Sequence, residues 1–224
     1  MAAPYEAKGH YQEEAVAAAY DRVRFSGTKG AFVNWLEQRM LLNALSGLPR
    51  GARVLDLPVG TGRMARRFSG EGFRVVGADV SAAMMRVANE LGGVGGLVRA
   101  DGEALPFADK TFGAAVCIRL LSHLPAEARK RMLREMARVA SDRIVAVYQP
   151  HKAAAWWLVY GWLLRRPLPR HFASPGELRR EFAECGLRLV RSHALLRGVF
   201  MERAYVLEPV GGAEGRDGLG PSGG

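Results

Sequence analysis

From residue 53 onward, short apolar runs alternate with amphipathic stretches, and that rhythm predicts strands separated by helices. Buried strands are expected at 53–57, 73–78, 97–100, 113–118 and 144–148. The intervening helices run through Met64 and Phe68, through Met84, Met85, Val87, Ala88 and Leu91 behind a Ser81 cap, and from Pro125 through Met132, Leu133, Met136 and Val139. The helix after Pro125 also bears Arg129, Lys130, Arg131, Arg134 and Arg138. With Glu127 and Glu135 four residues either side of Arg131, that face reads as solvated. Before residue 50, apolar residues recur at helical spacing through Ala15, Val16 and Ala19 and again through Phe32, Leu36 and Met40. Two N-terminal helices follow, broken at Ser26-Gly27-Thr28. After the fifth strand, Ser174-Pro175-Gly176-Glu177 has the form of a capping box opening a helix with Leu178 and Phe182. Leu187 to Leu196 and Val199 to Leu207 then read as a hairpin around Arg197-Gly198. The glycine-rich stretch 209–224 is expected to be disordered. Strands and helices at this interval imply an α/β fold: a mostly parallel sheet, helices on both faces, and an antiparallel strand from the C-terminal hairpin.

Composition narrows the class without naming a partner. The chain has 224 residues, 49% hydrophobic and 24% charged, which suits one globular domain with a full core. A net charge of +10 leaves nucleic acid, anionic membrane and acidic substrates open. Arginine supplies 27 of the 32 basic residues, and its weakly hydrated head tolerates partial burial, so the excess need not form a binding patch. Two cysteines, Cys117 and Cys185, cannot build a disulfide framework, and no Cys/His cluster has zinc spacing, so no metal is expected. The N-terminal stretch is polar, and the longest apolar run, Ala153 to Leu164, is 12 residues, too short for a bilayer. A cytoplasmic setting is the default expectation.

Three acidic residues stand at the ends of the first three strands. Asp56 leads from the first strand into Pro58-Val59-Gly60-Thr61-Gly62 and straight into a helix. The glycines allow close backbone approach, and the helix start offers free N–H donors. Alone, this is an ordinary strand–helix turn or a dinucleotide-type fingerprint. Asp79 ends the second strand, where a carboxylate can accept from both ribose hydroxyls of a nucleoside or simply sit beside the Ser81 cap. Asp101-Gly102 follows the third strand, placed for an adenine amine, though Asp-Gly is also a common turn pair. Together at the carboxyl ends of consecutive strands, the three favour nucleoside binding.

These stretches, LDLPVGTGR, VVGADVSAAMM and RADGEALPFADKTFGAAVC, resemble the motifs of class I S-adenosylmethionine-dependent methyltransferases. The resemblance is greatest to the group containing the ubiquinone/menaquinone biosynthesis methyltransferases, and it covers Val54 to Tyr148. It implies a Rossmann-like doubly wound, seven-stranded sheet with S-adenosyl-L-methionine as cofactor. It places Asp56, Gly60 and Gly62 at the methionine end, Asp79 on the ribose, Asp101 and Gly102 on the adenine, and Arg119 facing the sulfonium and the acceptor. It also implies that residues 1–50, with Tyr20, Asp21 and Arg24, cover the cofactor site of a methyltransferase domain at 51–208. The chain departs from the pattern at Pro58, where many members have glycine, and at Val59, Gly113 and Ser122.

On the acceptor side, His123 is a candidate general base or orienting group, or alternatively a loop histidine at the start of a helix. Cys117 reads as a small core residue. No Asn/Asp-Pro-Pro-aromatic box follows the fourth strand, which argues against methylation of nucleobase amines. The segment Ala153 to Arg166 carries three of four tryptophans and ends in an arginine pair. As a lid insert at about 151–173, with Trp156 and Trp157, it suits a lipid-like acceptor or peripheral membrane contact; the plain alternative is packing against the sheet or a second copy. The expected activity is methyl transfer to a small, hydrophobic, lipid- or quinone-like acceptor. An RNA (tRNA) methyltransferase drawing on the positive charge, and a non-catalytic cofactor-binding scaffold or partner subunit, are the alternatives. Nucleic acid ranks behind a small-molecule partner, and the oligomeric state is left open.

Overall fold

In the computed structural model, the described residues are 17, 20, 21, 25–148, 173–196 and 200–210. They form five helices and seven strands: α1 (Gly27–Leu45), β1 (Arg53–Asp56), α2 (Arg63–Gly70), β2 (Arg74–Asp79), α3 (Ala82–Leu91), β3 (Gly96–Arg99), β4 (Phe112–Cys117), α4 (Ala126–Val139), β5 (Ala140–Tyr148), α5 (Pro175–Glu184), β6 (Leu187–Leu196) and β7 (Phe200–Pro209). A short 3-10 turn lies at Leu121–His123. The strands build one sheet in the order β3-β2-β1-β4-β5-β7-β6. β1 to β5 pair in parallel, and β7 runs antiparallel to both β5 and β6. This is the mostly parallel, seven-stranded Rossmann-like sheet that the sequence predicts.

Side chains of a strand alternate between its two faces, so each strand feeds two cores. On one face, Leu55, Ala115, Ile144 and Leu207 pack with Met132, Leu133 and Met136 of α4 and Leu178 and Phe182 of α5. On the other, Val54, Val116, Val145 and Val206 pack with Met40, Leu41 and Leu45 of α1 and Met64 and Phe68 of α2. Cys117 is buried in the sheet as a small core residue. The order reverses between β1 and β4, and the carboxyl ends of β1, β2 and β4 converge on that side of the sheet.

Local signals set the helix ends. The Ser81 hydroxyl accepts from Met84 N–H, and Ser174 with Glu177 completes a reciprocal capping box under Pro175. The C-terminal carbonyls of α1 are met by arginines from the sheet. Arg143 donates to Ala44 at 3.0 Å and to Ser46 at 2.7 Å, and Arg191 reaches Asn43 at 3.3 Å. Cations at that end complement the helix dipole.

Three expectations need correction. Arg129 is not on a solvated face: it is buried and makes a bidentate pair with Glu181 of α5, at 2.6 and 2.5 Å. Arg131 pairs with Glu103 rather than with Glu127 or Glu135, and Glu135 instead binds Arg138. The second N-terminal helix exists as α1, but its Phe32 and Trp35 are half exposed, and its buried face is Glu37, Met40, Leu41, Ala44 and Leu45. Most of the first N-terminal helix, Arg24, the segment 151–172 with Trp156 and Trp157, and the tail 211–224 lie outside the described residues. No helix among the described residues is long and apolar enough to cross a membrane.

Candidate active site

A cavity of about 160 Å³ opens at the carboxyl ends of the parallel strands. A water needs on the order of 10–15 Å³ measured this way, so the space fits a ligand of many atoms. Its wall includes Asp56, Gly60, Asp79, Asp101, Gly102, Arg119, His123 and Tyr20, so eight of the predicted residues meet in one place.

Asp56 closes β1 at 1% exposure, and neither of its carboxylate oxygens completes a hydrogen bond among the described residues. Burial pushes its pKa up to about 8, with the nearby Arg63 opposing the rise and the charge on Asp79 adding to it. A buried polar group of this kind is costly unless a partner arrives. Asp79 differs. Its Oδ2 accepts from Gly60 N–H and its Oδ1 from Ser81 N–H, both at 2.9 Å. Burial raises its pKa too, while these N–H donors oppose the rise. The carboxylate therefore ties the glycine turn after β1 to the cap of α3.

The turn requires its glycines for two reasons. Gly60 sits at φ +53° with open space where a side chain would stand, so conformation demands it. Gly62, at φ +78°, does not line the cavity. A Cβ there would meet Arg66, Ala88 and Val94 at 3.0–3.2 Å, so its smallness lets α2 start against α3 and the loop after it. Val59 takes the wall position after Pro58; its side chain fills the space above Gly77, where a Cβ would come within 2.5 Å.

Asp101 and Gly102 form a turn bridged to Ala104, with Asp101 Oδ1 accepting from Glu103 N–H at 3.2 Å. Gly102 is buried, and a Cβ on it would press on Met132 at 3.0 Å. His123, on the 3-10 turn, is exposed beside Leu120 at the cavity edge. Tyr20 lines the wall, and Asp21 next to it accepts from Thr61 Oγ1 at 3.0 and 2.9 Å, fastening the N-terminal segment to the glycine turn.

Sequence reasoning missed the charged frame beside Asp56. Arg63, the first residue of α2, and Arg119, just past β4, both line the cavity, and both bind one fully buried carboxylate, Glu37 of α1. The only sequence signal is an acid among the apolar positions of α1, at helical spacing with Met40, Leu41 and Ala44. Among the described residues, no group of three or more His, Cys, Asp or Glu could hold a metal ion.

Residues 54–143 match the family described as "Methyltransferase domain". Over 134 residues the chain is 39% identical to the ubiquinone/menaquinone biosynthesis C-methyltransferase UbiE of Photorhabdus laumondii, covering 55% of this chain and 51% of that protein. It is 31% identical over 157 residues to the demethylmenaquinone methyltransferase of Renibacterium salmoninarum, covering 69% and 64%. The match thus spans about half the length of several of these curated relatives. Among solved structures, the magnesium protoporphyrin IX methyltransferase of Synechocystis, determined with bound SAH, superposes with a TM-score of 0.72 at 16% identity, over 91% of this chain and 98% of that one. A Thermotoga maritima methyltransferase described as a possible histamine N-methyltransferase gives 0.63 at 18% identity, over 87% and 97%. Residues 54–143 thus match a methyltransferase domain, and the fold is that of solved S-adenosylmethionine-dependent methyltransferases.

Proposed function

We propose that the protein transfers a methyl group from S-adenosylmethionine to a small, hydrophobic, quinone-like acceptor. The observation that carries the cofactor half is Asp56: a buried carboxylate on the cavity wall whose two oxygens complete no hydrogen bond within normal geometry among the described residues. A ligand bearing an ammonium group supplies what is missing, and the methionine end of the cofactor is such a group. Asp79, one strand over, takes the ribose, and the Asp101-Gly102 turn, one strand further, takes the adenine.

When bound, the cofactor supplies an electrophilic methyl group on a sulfonium. The chain supplies alignment and water exclusion. Tyr20, Ile118, Leu120 and Met132 give the wall an apolar stretch that seats an acceptor and keeps water off it. His123 takes the proton from an acceptor that must lose one; where none is lost, alignment suffices. The quinone-like class rests on the names of the sequence relatives together with that apolar wall.

Thermal unfolding with S-adenosylhomocysteine tests the cofactor assignment. Ligand at about 100 times its Kd should add roughly 2.7 kcal/mol of stability, and no shift at saturating ligand would overturn it. Because Asp79 also holds the glycine turn, Asp79→Asn serves better than alanine for the ribose role. Incubation with methyl-labelled cofactor and a panel of demethylated quinones then tests the acceptor: label in none of them removes the quinone-like class.

A further inference from the structure

Glu37 does more than fill α1's buried face. It is 0% exposed, and its two oxygens grip guanidinium groups from two separate segments. Oε2 lies 2.5 Å from Arg63 Nη2, while Oε1 accepts from Arg119 Nε at 3.0 Å and lies 2.9 Å from its Nη2. Arg63 is further held by Asn34, three residues before Glu37 on the same helix. Arg119 Nη2 also lies 3.4 Å from Glu202 of β7. Both guanidinium groups also lie over the ring of Phe25, at 4.2 and 5.7 Å.

Two features separate this from an ordinary buried ion pair. Both arginines line the cavity, one beside the glycine turn after β1 and one at the end of β4. And Arg119 has φ +66°, a left-handed conformation that a residue with a Cβ adopts only when its surroundings hold it there. Four described elements (α1, α2, the end of β4, and β7) meet at this one carboxylate and its arginines. A planar guanidinium gripped through Nε and Nη2 has its plane fixed, so its remaining donors have a fixed direction as well.

We propose that Glu37 is a positioning residue: its carboxylate fixes Arg63 and Arg119 as a rigid, charge-paired stretch of cavity wall, and ligand affinity depends on it through Arg119. This rests on the reading of the cavity as the cofactor site. Neither the sequence motifs nor the family resemblance assigns Glu37 any part.

Two readouts test it on the full chain. The first, independent of any ligand, is the Nε–H cross-peak of Arg119 in ¹⁵N-labelled protein, identified by its loss in Arg119→Lys. It should be sharp and slow to exchange in the native protein, lost in the isosteric Glu37→Gln, and partly restored in Glu37→Asp. The second is the Kd for S-adenosylhomocysteine. Glu37→Gln should weaken it at least tenfold, and Glu37→Gln combined with Arg119→Gln should be no weaker than Arg119→Gln alone, because one residue acts through the other. An Arg119 cross-peak untouched by Glu37→Gln, an unchanged Kd, or additive losses would each overturn the proposal. If Glu37→Gln does not fold, Glu37→Asp carries the same comparison: a weakened Arg119 cross-peak with a weakened Kd supports the proposal, and both unchanged overturn it. If the native protein binds no S-adenosylhomocysteine, the cofactor reading fails and the cross-peak alone decides whether Glu37 fixes Arg119.

Discussion

Asp56 gives the ligand-free protein a measurable dependence on pH. The perturbation is Asp56→Asn, which keeps the shape and removes the charge. In the fold the carboxyl titrates at about 8, against 3.8 for an ordinary aspartate, because burial disfavours its charged form. Between those values the fold holds a proton that the unfolded chain has released, so the native state binds more protons and stability falls as pH rises. The slope approaches 1.36 kcal/mol per pH unit. Integrated from pH 5 to pH 8, the native protein should lose roughly 4 kcal/mol from this one group. Asp56→Asn cannot titrate, so urea midpoints of the two proteins should diverge across that window, with the variant the more stable at pH 8. Denaturation at half-unit intervals by tryptophan fluorescence measures this directly. Two stability curves running parallel from pH 5 to 8 would refute both the buried, protonated Asp56 and the place given to it in binding.

The same group predicts that cofactor binding releases a proton. At pH 7 Asp56 is mostly protonated and ionises against an ammonium, so titration calorimetry of S-adenosylhomocysteine in buffers of different ionisation enthalpy should show net proton release, and none in Asp56→Asn. Gly62→Ala should cost about 1–3 kcal/mol, since it combines a positive φ with contacts at 3.0–3.2 Å, and thermal unfolding should show it. Arg129→Met or Glu181→Leu alone should each cost about 3–5 kcal/mol by leaving a buried charge unpaired, whereas the double variant should recover most of that in urea denaturation. Equal losses in the single and double variants would show that the pair is not what those side chains contribute.

What the sequence reveals about the fold is local. β1, β2, β3 and β4 are visible because each is a short apolar run with a glycine or polar break after it. β5 is visible only from Ile144, because its first part, Ser141-Asp142-Arg143, is polar yet pairs with the start of β4 across an irregular register. The acids at the strand ends are legible for the same reason: their position follows from where each strand stops. Glu37 and Arg129 are not. Their partners lie 26, 82 and 52 residues away, and no periodicity within a helix indicates that a charged side chain will find one at that distance. Gly62 shows a subtler limit, since the motif fixes its identity while only the packing of Ala88 and Val94 shows which way it faces.

The net charge of +10 takes on a different meaning once individual arginines are located. A polyanion gains affinity by exchanging counterions for cations that are free to meet phosphates. Arg129 is buried against Glu181, and Arg63 and Arg119 share Glu37. Arg143 and Arg191 are turned onto the carbonyl end of α1. Arg138 binds the carbonyls of Leu105 and Phe107 as well as Glu135 and Asp109, and the two carboxylates raise its pKa further. Each would have to give up partners at about 2.5–3.5 Å to engage a phosphate, so these six arginines contribute much less to an electrostatic surface than their formal charge implies. These arginines do the work of joining helices to the sheet, the role for which a planar, multidentate cation is better suited than lysine. For these arginines, positive charge is thus a property of how the fold is held together rather than a pointer to a polyanionic partner.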